Sequence, residues 1–166
     1  MTGAAAGSKT NAMRVLEAAG IPFEIRHYEL DDEHFSAERV AQEVAMEPEI
    51  VFKTLIAEGD RTGHIFAIIP AGTELDLRLL AAASGNKKVK LVPLREVRAL
   101  TGYVRGSVTV LAAKRSYPVY LEETAMLWPA IAISGGERGL QLVLAPGDLL
   151  RVSDATLADI ARNPIG

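Results

Sequence analysis

The chain has 166 residues, 49% hydrophobic, 23% charged and 5% aromatic, with no cysteine, three histidines and a formal net charge of -3. That length suits one domain with a full core, and the lack of cysteine excludes disulfides, thiolate metal sites, iron–sulfur clusters and a cysteine nucleophile. A balance of 18 Lys+Arg against 21 Asp+Glu argues against a free-standing nucleic-acid binder, because phosphate neutralisation supplies most of such a protein's affinity.

Met1–Ser8 lacks the basic start and apolar centre of a signal peptide. Residues 1–10 are expected to form a flexible end, and 11–166 a single domain. No apolar run approaches the roughly 20 residues of a membrane span, so no membrane partner is expected. The absence of disulfides suits a cytoplasmic location. Ala12, Val15, Leu16 and Ala19 share a helical face, and Gly20 and Pro22 end that helix. Phe23–Tyr28 alternates like a half-buried strand. Ser36 can cap a second helix that points Val40, Ala41 and Val44 inward.

Ile50–Ala57 and His64–Ile69 are apolar runs joined by a hairpin loop, Glu58–Gly63. Leu75–Ala83 reads as a helix ended by Gly85, Lys88–Val92 as a short strand, and Pro93–Leu100 as a helix closed by Gly102. Further strands are expected around Val104–Leu111, Val119–Leu121, Ile131–Ser134 and Leu140–Leu144. Ser153 or Asp154 is expected to cap a terminal helix running through Ala161. Interleaved helices and hairpin-linked strands predict an α/β (α+β) fold with a mixed, mostly antiparallel sheet.

Lys53 is the first chemical anomaly, a charge inside an apolar strand. Pattern alone favours an edge lysine whose ammonium reaches water. The alternative is an ammonium at a pocket floor or rim, available to a phosphate, a carboxylate or a developing oxyanion. Gly102–Ser107 and Ser134–Gly139 are glycine-rich turns that either simply connect elements or bring bare backbone to a ligand. His27, His34 and His64 are too widely spaced to suggest a metal centre, and no metal site is expected.

In order and spacing, these motifs resemble one family: the YbaK/EbsC proteins and the editing insertion of bacterial prolyl-tRNA synthetase. The resemblance spans about Asn11 to Arg162. It is carried by Val51-Phe52-Lys53-Thr54-Leu55, Ala71-Gly72-Thr73-Glu74-Leu75-Asp76-Leu77, Thr101-Gly102-Tyr103 with Gly106, and Ser134-Gly135-Gly136-Glu137-Arg138-Gly139-Leu140. It implies a barrel-like sheet flanked by helices and an editing domain over residues 11–166. The implied activity is trans-editing deacylation of mischarged tRNA(Pro), most typically Cys-tRNA(Pro), with no cofactor. Lys53 and Gly106 are the catalytic positions it implies; Tyr28, Phe35, Thr54, Ser134 and Gln141 are the substrate-binding ones. Aminoacyl-tRNA and prolyl-tRNA synthetase are the implied partners, and a monomer is the default.

The chain also departs from the family pattern. Ser107–Ala112 replaces the usual Gly-Ile-Ser-Pro-x-Gly, Gln141 stands where Asp is usual, and the Tyr28-to-Phe35 segment is shorter. These differences keep two alternatives in view: a water-using deacylase for alanine or serine, and a non-catalytic module that binds an aminoacyl or nucleotide end.

Overall fold

The computed structural model describes residues 9–29 and 36–164. Met1–Ser8, residues 30–35, which include His34 and Phe35, and residues 165–166 lie outside the described residues. Helix α1 (Asn11–Ala18) begins at Thr10, whose hydroxyl accepts from the Met13 N–H, and buries Ala12, Met13 and Leu16. Strand β1 (Glu24–His27) follows, and Ser36 caps α2 (Ala37–Glu43) as expected. A 3-10 turn, Pro48–Ile50, leads into the hairpin of β2 (Phe52–Gly59) and β3 (Gly63–Pro70).

A short β4 (Glu74–Leu75) precedes α3 (Leu77–Ser84), whose start is capped by Asp76 through the N–H groups of Arg78 and Leu79. Gly85 ends α3 at φ 76°, and Gly102 ends α4 (Leu94–Thr101) at φ 82°, both in the left-handed region glycine adopts freely. Between them lies β5 (Val89–Leu91). The remaining elements are β6 (Val119–Glu122), a 3-10 turn (Glu123–Leu127), β7 (Ile131–Ser134), β8 (Leu140–Leu144), α5 (Pro146–Ser153), β9 (Thr156–Ala158) and β10 (Ala161–Arg162).

The strands form a five-stranded sheet in the order β5-β2-β3-β6-β9, a three-stranded sheet in the order β1-β8-β7, and a β10-β4 pair. Only β3–β6 and β6–β9 pair in parallel; the other named pairs are antiparallel. The fold is therefore mixed α/β, with multi-stranded sheets flanked by helices. A parallel bridge between Val51 and Ala132 joins the two larger sheets. The main core lies between them, built on Phe52, Ile56, Phe66, Ile68, Ile133, Leu142 and Leu149. A smaller cluster under α2 joins Tyr28, Val40, Ala41, Val44, Ala132 and Val143.

Two expected elements are corrected. Val104–Leu111 is a loop, because its polar side chains bond the local backbone in place of a strand neighbour. Ser107 Oγ donates to Val104 O at 2.9 Å, and Leu111 N donates to Thr109 Oγ1 at 3.2 Å. The expected terminal helix is also absent. Asp154, at φ 52°, ends α5 and does not begin a new helix. The following segment is held extended: Ile160 N–H donates to the buried Glu122 carboxylate and Ile160 O accepts from Asp76 N–H.

Candidate active site

One cleft of about 400 Å³ lies where the two larger sheets part. Its wall includes Lys53, Thr54, Gly106, Ser134 and Gln141, five of the seven candidate positions. They come from β2, the loop after α4, the end of β7 and β8, so residues as far apart as Lys53 and Gln141 meet only through the fold.

The β2 side of the cleft follows from strand geometry. Side chains alternate, so Lys53 and Leu55 share one face while Phe52, Thr54 and Ile56 share the other. The cleft runs along the edge of the strand and thus touches both faces. Lys53 is half-buried and has no ion-pair partner among the described residues. Expected as either an edge lysine or a pocket lysine, it is on a strand edge that is also a pocket wall.

The β7–β8 side is a layer of polar groups. The register pairs Ser134 with Gln141 and Gln141 with Arg26. Tyr28 N–H donates to Gly139 O, extending that pairing by two residues. Ser134, Gln141 and Tyr28 therefore stand on one face of the three-stranded sheet. Ser134 Oγ accepts from the Gly136 N–H at 3.2 Å. Gln141 is 5% exposed, and its buried Oε1 has no hydrogen-bond partner among the described residues. The Tyr28 hydroxyl is likewise buried and has no partner among the described residues, but Tyr28 does not line the cleft. Groups of this kind are uncommon in folded proteins, since each costs about 1–3 kcal/mol of lost hydration.

The loop after α4 closes the third side. Gly106 sits at φ 93°, in a turn closed by Ser107 N–H donating to Val104 O. The Tyr103 hydroxyl ties the far end of the loop by donating to Leu111 O at 2.6 Å, and burial pushes its pKa above 10.0. Ser107 is buried, and its hydroxyl donates to Val104 O.

Sequence reasoning missed part of the wall. Ser36 and Glu38 arrive from α2, Leu91, Leu94 and Val97 from β5 and α4, and Arg105 and Val108 flank Gly106. The sequence carried no signal for them: Leu91 and Leu94 are 48% and 58% exposed at the rim, an apolar exposure that only the fold reveals. Among the described residues no group of three His, Asp or Glu side chains could hold a metal, and no helix is long and apolar enough to cross a membrane.

Known proteins resemble this chain in sequence and fold. A family model described as the aminoacyl-tRNA editing domain matches residues 31–152. The chain is 42% identical over 152 residues to EbsC of Enterococcus faecalis, named as a proposed Cys-tRNA(Pro)/Cys-tRNA(Cys) deacylase, covering 92% of this chain and 93% of that protein. A solved structure of a proposed trans-editing enzyme for prolyl-tRNA synthetase is 26% identical, with a TM-score of 0.79 over 94% of this chain and 99% of that one. The hypothetical protein APE2540, 20% identical, shares the fold with a TM-score of 0.83 over 92% of this chain and 100% of that one.

Proposed function

We propose, from the premise that this chain belongs to the aminoacyl-tRNA editing domain family, that it is a trans-editing deacylase acting on mischarged tRNA(Pro), with Cys-tRNA(Pro) as its main substrate. The observation that carries this reading is the convergence of Lys53, Thr54, Gly106, Ser134 and Gln141 on one cleft. Aminoacyl-tRNA and a synthetase are its partners in this reading, and the cytoplasm its location. In this reading the barrel-like sheet that the family resemblance implies is made up of the two larger sheets, a view supported by the bridge between Val51 and Ala132.

The chemistry needs no protein nucleophile. The cysteinyl thiolate attacks the ester carbonyl of its own aminoacyl group, the bond to the ribose oxygen breaks, and a thiolactone leaves. The ribose oxygen takes up a proton. The protein's task is to fold the substrate into near-attack geometry and to stabilise the charge on the carbonyl oxygen. Lys53 supplies a cation for that charge or for the terminal phosphate, Gly106 supplies close-approaching backbone, and Ser134 and Gln141 hold the aminoacyl end. Tyr28 and Phe35 complete the substrate-binding set carried over from the family.

The experiment is release of amino acid from Cys-, Ala- and Ser-charged tRNA(Pro). Cys release by the intact protein, lost when the substrate thiol is blocked, is the expected result. Lys53→Ala should lower the rate by about 10²-fold with an unchanged melting temperature, the scale seen for losing one charge-stabilising donor. No release from any of the three by the intact protein would overturn the reading. Release of Ala or Ser alone would replace the thiol mechanism with attack by water.

A further inference from the structure

We infer that the cleft reads the base of the terminal adenosine through the main chain of Thr54, inside a slot walled by Leu91, Leu94 and Val108. The inference deepens the deacylase reading and rests on it for the identity of the base.

Three hydrogen bonds fix which way the backbone of β2 points. Ala71 N–H donates to Val51 O at 2.7 Å, so odd-numbered residues of this stretch bond toward β3. Val92 N–H donates to Ile56 O at 3.1 Å, so even-numbered residues point to the opposite edge. Phe66, paired with Ile56, turns its N–H away from β2 to Pro118 O at 2.8 Å, which agrees. The N–H and C=O of Thr54 therefore face the edge shared with β5 and β7. Strand β5 stops short of it: Leu94 is the residue that would come opposite Thr54, but Pro93 has no N–H and Leu94 begins α4. On the other flank, the bridge recorded between β7 and this edge is at Val51. On that edge the recorded pairings are the Val51–Ala132 bridge and β5 from Ala57 onward, so among the described residues no ladder pair stands opposite the Thr54 donor and acceptor.

Such a pair is half of an antiparallel bonded couple, and a planar base with an amine beside a ring nitrogen can complete it. Adenine offers N1 to accept from the Thr54 N–H and the N6 amine to donate to its C=O. The neighbouring wall is apolar, and Leu91 and Leu94 are among the most exposed apolar side chains of the molecule, as the two faces of a buried ring require. Lys53, the preceding residue, lines the same cleft and is placed to meet ribose or phosphate.

The test is titration of the full-length protein with adenosine, purine riboside and N6,N6-dimethyladenosine, read by calorimetry and by the amide resonance of Thr54. Adenosine should bind and move that resonance downfield. Purine riboside, which lacks the amine, should bind at least tenfold more weakly, and the dimethyl compound should not bind detectably. Leu94→Asp, a change at an exposed position, should keep the fold and weaken adenosine at least tenfold. Equal affinity for all three nucleosides, or an unmoved Thr54 amide at saturation, would overturn the inference. Ester cleavage with that result would sink this inference alone; the adenosine pattern without cleavage would sink the deacylase reading and leave base recognition standing.

Discussion

Gln141 combines burial with an idle acceptor, and the two consequences separate by experiment. If Oε1 accepts from the substrate, Gln141→Leu should raise KM about tenfold, the scale of one lost hydrogen bond in a buried site. The same change removes the unpaired polar atom, so thermal stability should hold or rise. Falling stability with unchanged KM would assign Gln141 to the core. The sequence located this residue only through its place after the glycine turn. Its missing partner was not legible there, because it depends on Ser134 and Arg26 standing opposite it in the sheet. Lys53 was visible as an anomaly, but whether its strand edge lies open to a cleft depends on where β5 ends, at Leu91, far along the chain.

Among the elements, the β2–β3 hairpin is secured from outside by the segment between α3 and β5. Asn86, 8% exposed, accepts from the N–H groups of Arg61 and Thr62 and donates to Thr62 Oγ1 and Ser84 Oγ. Asn86→Ala should cost about 2–4 kcal/mol by chemical denaturation, since four bonds go at once. Asp60 holds the other side of the same loop. The N–H groups of Lys88 and Lys87 that donate to its carboxylate keep its pKa below 3.8. A carboxylate depressed on folding adds stability above its unfolded pKa and loses it as pH falls through the folded value. Wild type should thus lose stability relative to Asp60→Asn as pH drops below about 4, in parallel melts; superimposable pH profiles would refute the linkage. Local signals served well here: turn residues marked the hairpin, and caps marked the helices. They failed at Val104–Leu111, where apolar alternation was outcompeted by side chain–backbone bonds, and after Asp154. They also missed α5, although Pro146 in its first turn and Asp148 behind it were readable signs.

Over the whole molecule, the sheet order is the part no local pattern contains. Strands β3 and β6 pair in parallel across some 50 residues, and the cleft exists because the two larger sheets separate beyond the Val51–Ala132 bridge. Net charge acts at this scale too. With a charge of -3, the protein should bind uncharged, unmodified tRNA weakly and with a shallow salt dependence in filter binding. Tight binding that collapses between 50 and 200 mM salt, as expected of a protein with many phosphate contacts, would contradict a synthetase-assisted mode. The open edge at Thr54 has a further consequence for self-association. Unpaired strand edges invite other chains to add on and grow into aggregates. This one is stoppered on both flanks, by the bridge at Val51 and by the Ile56–Val92 bond, so an invading strand finds no run of residues along which to zip. An edge interrupted at both ends offers a small flat ligand one residue's worth of backbone and offers a polypeptide no ladder, so it is a poor seed for polymerisation.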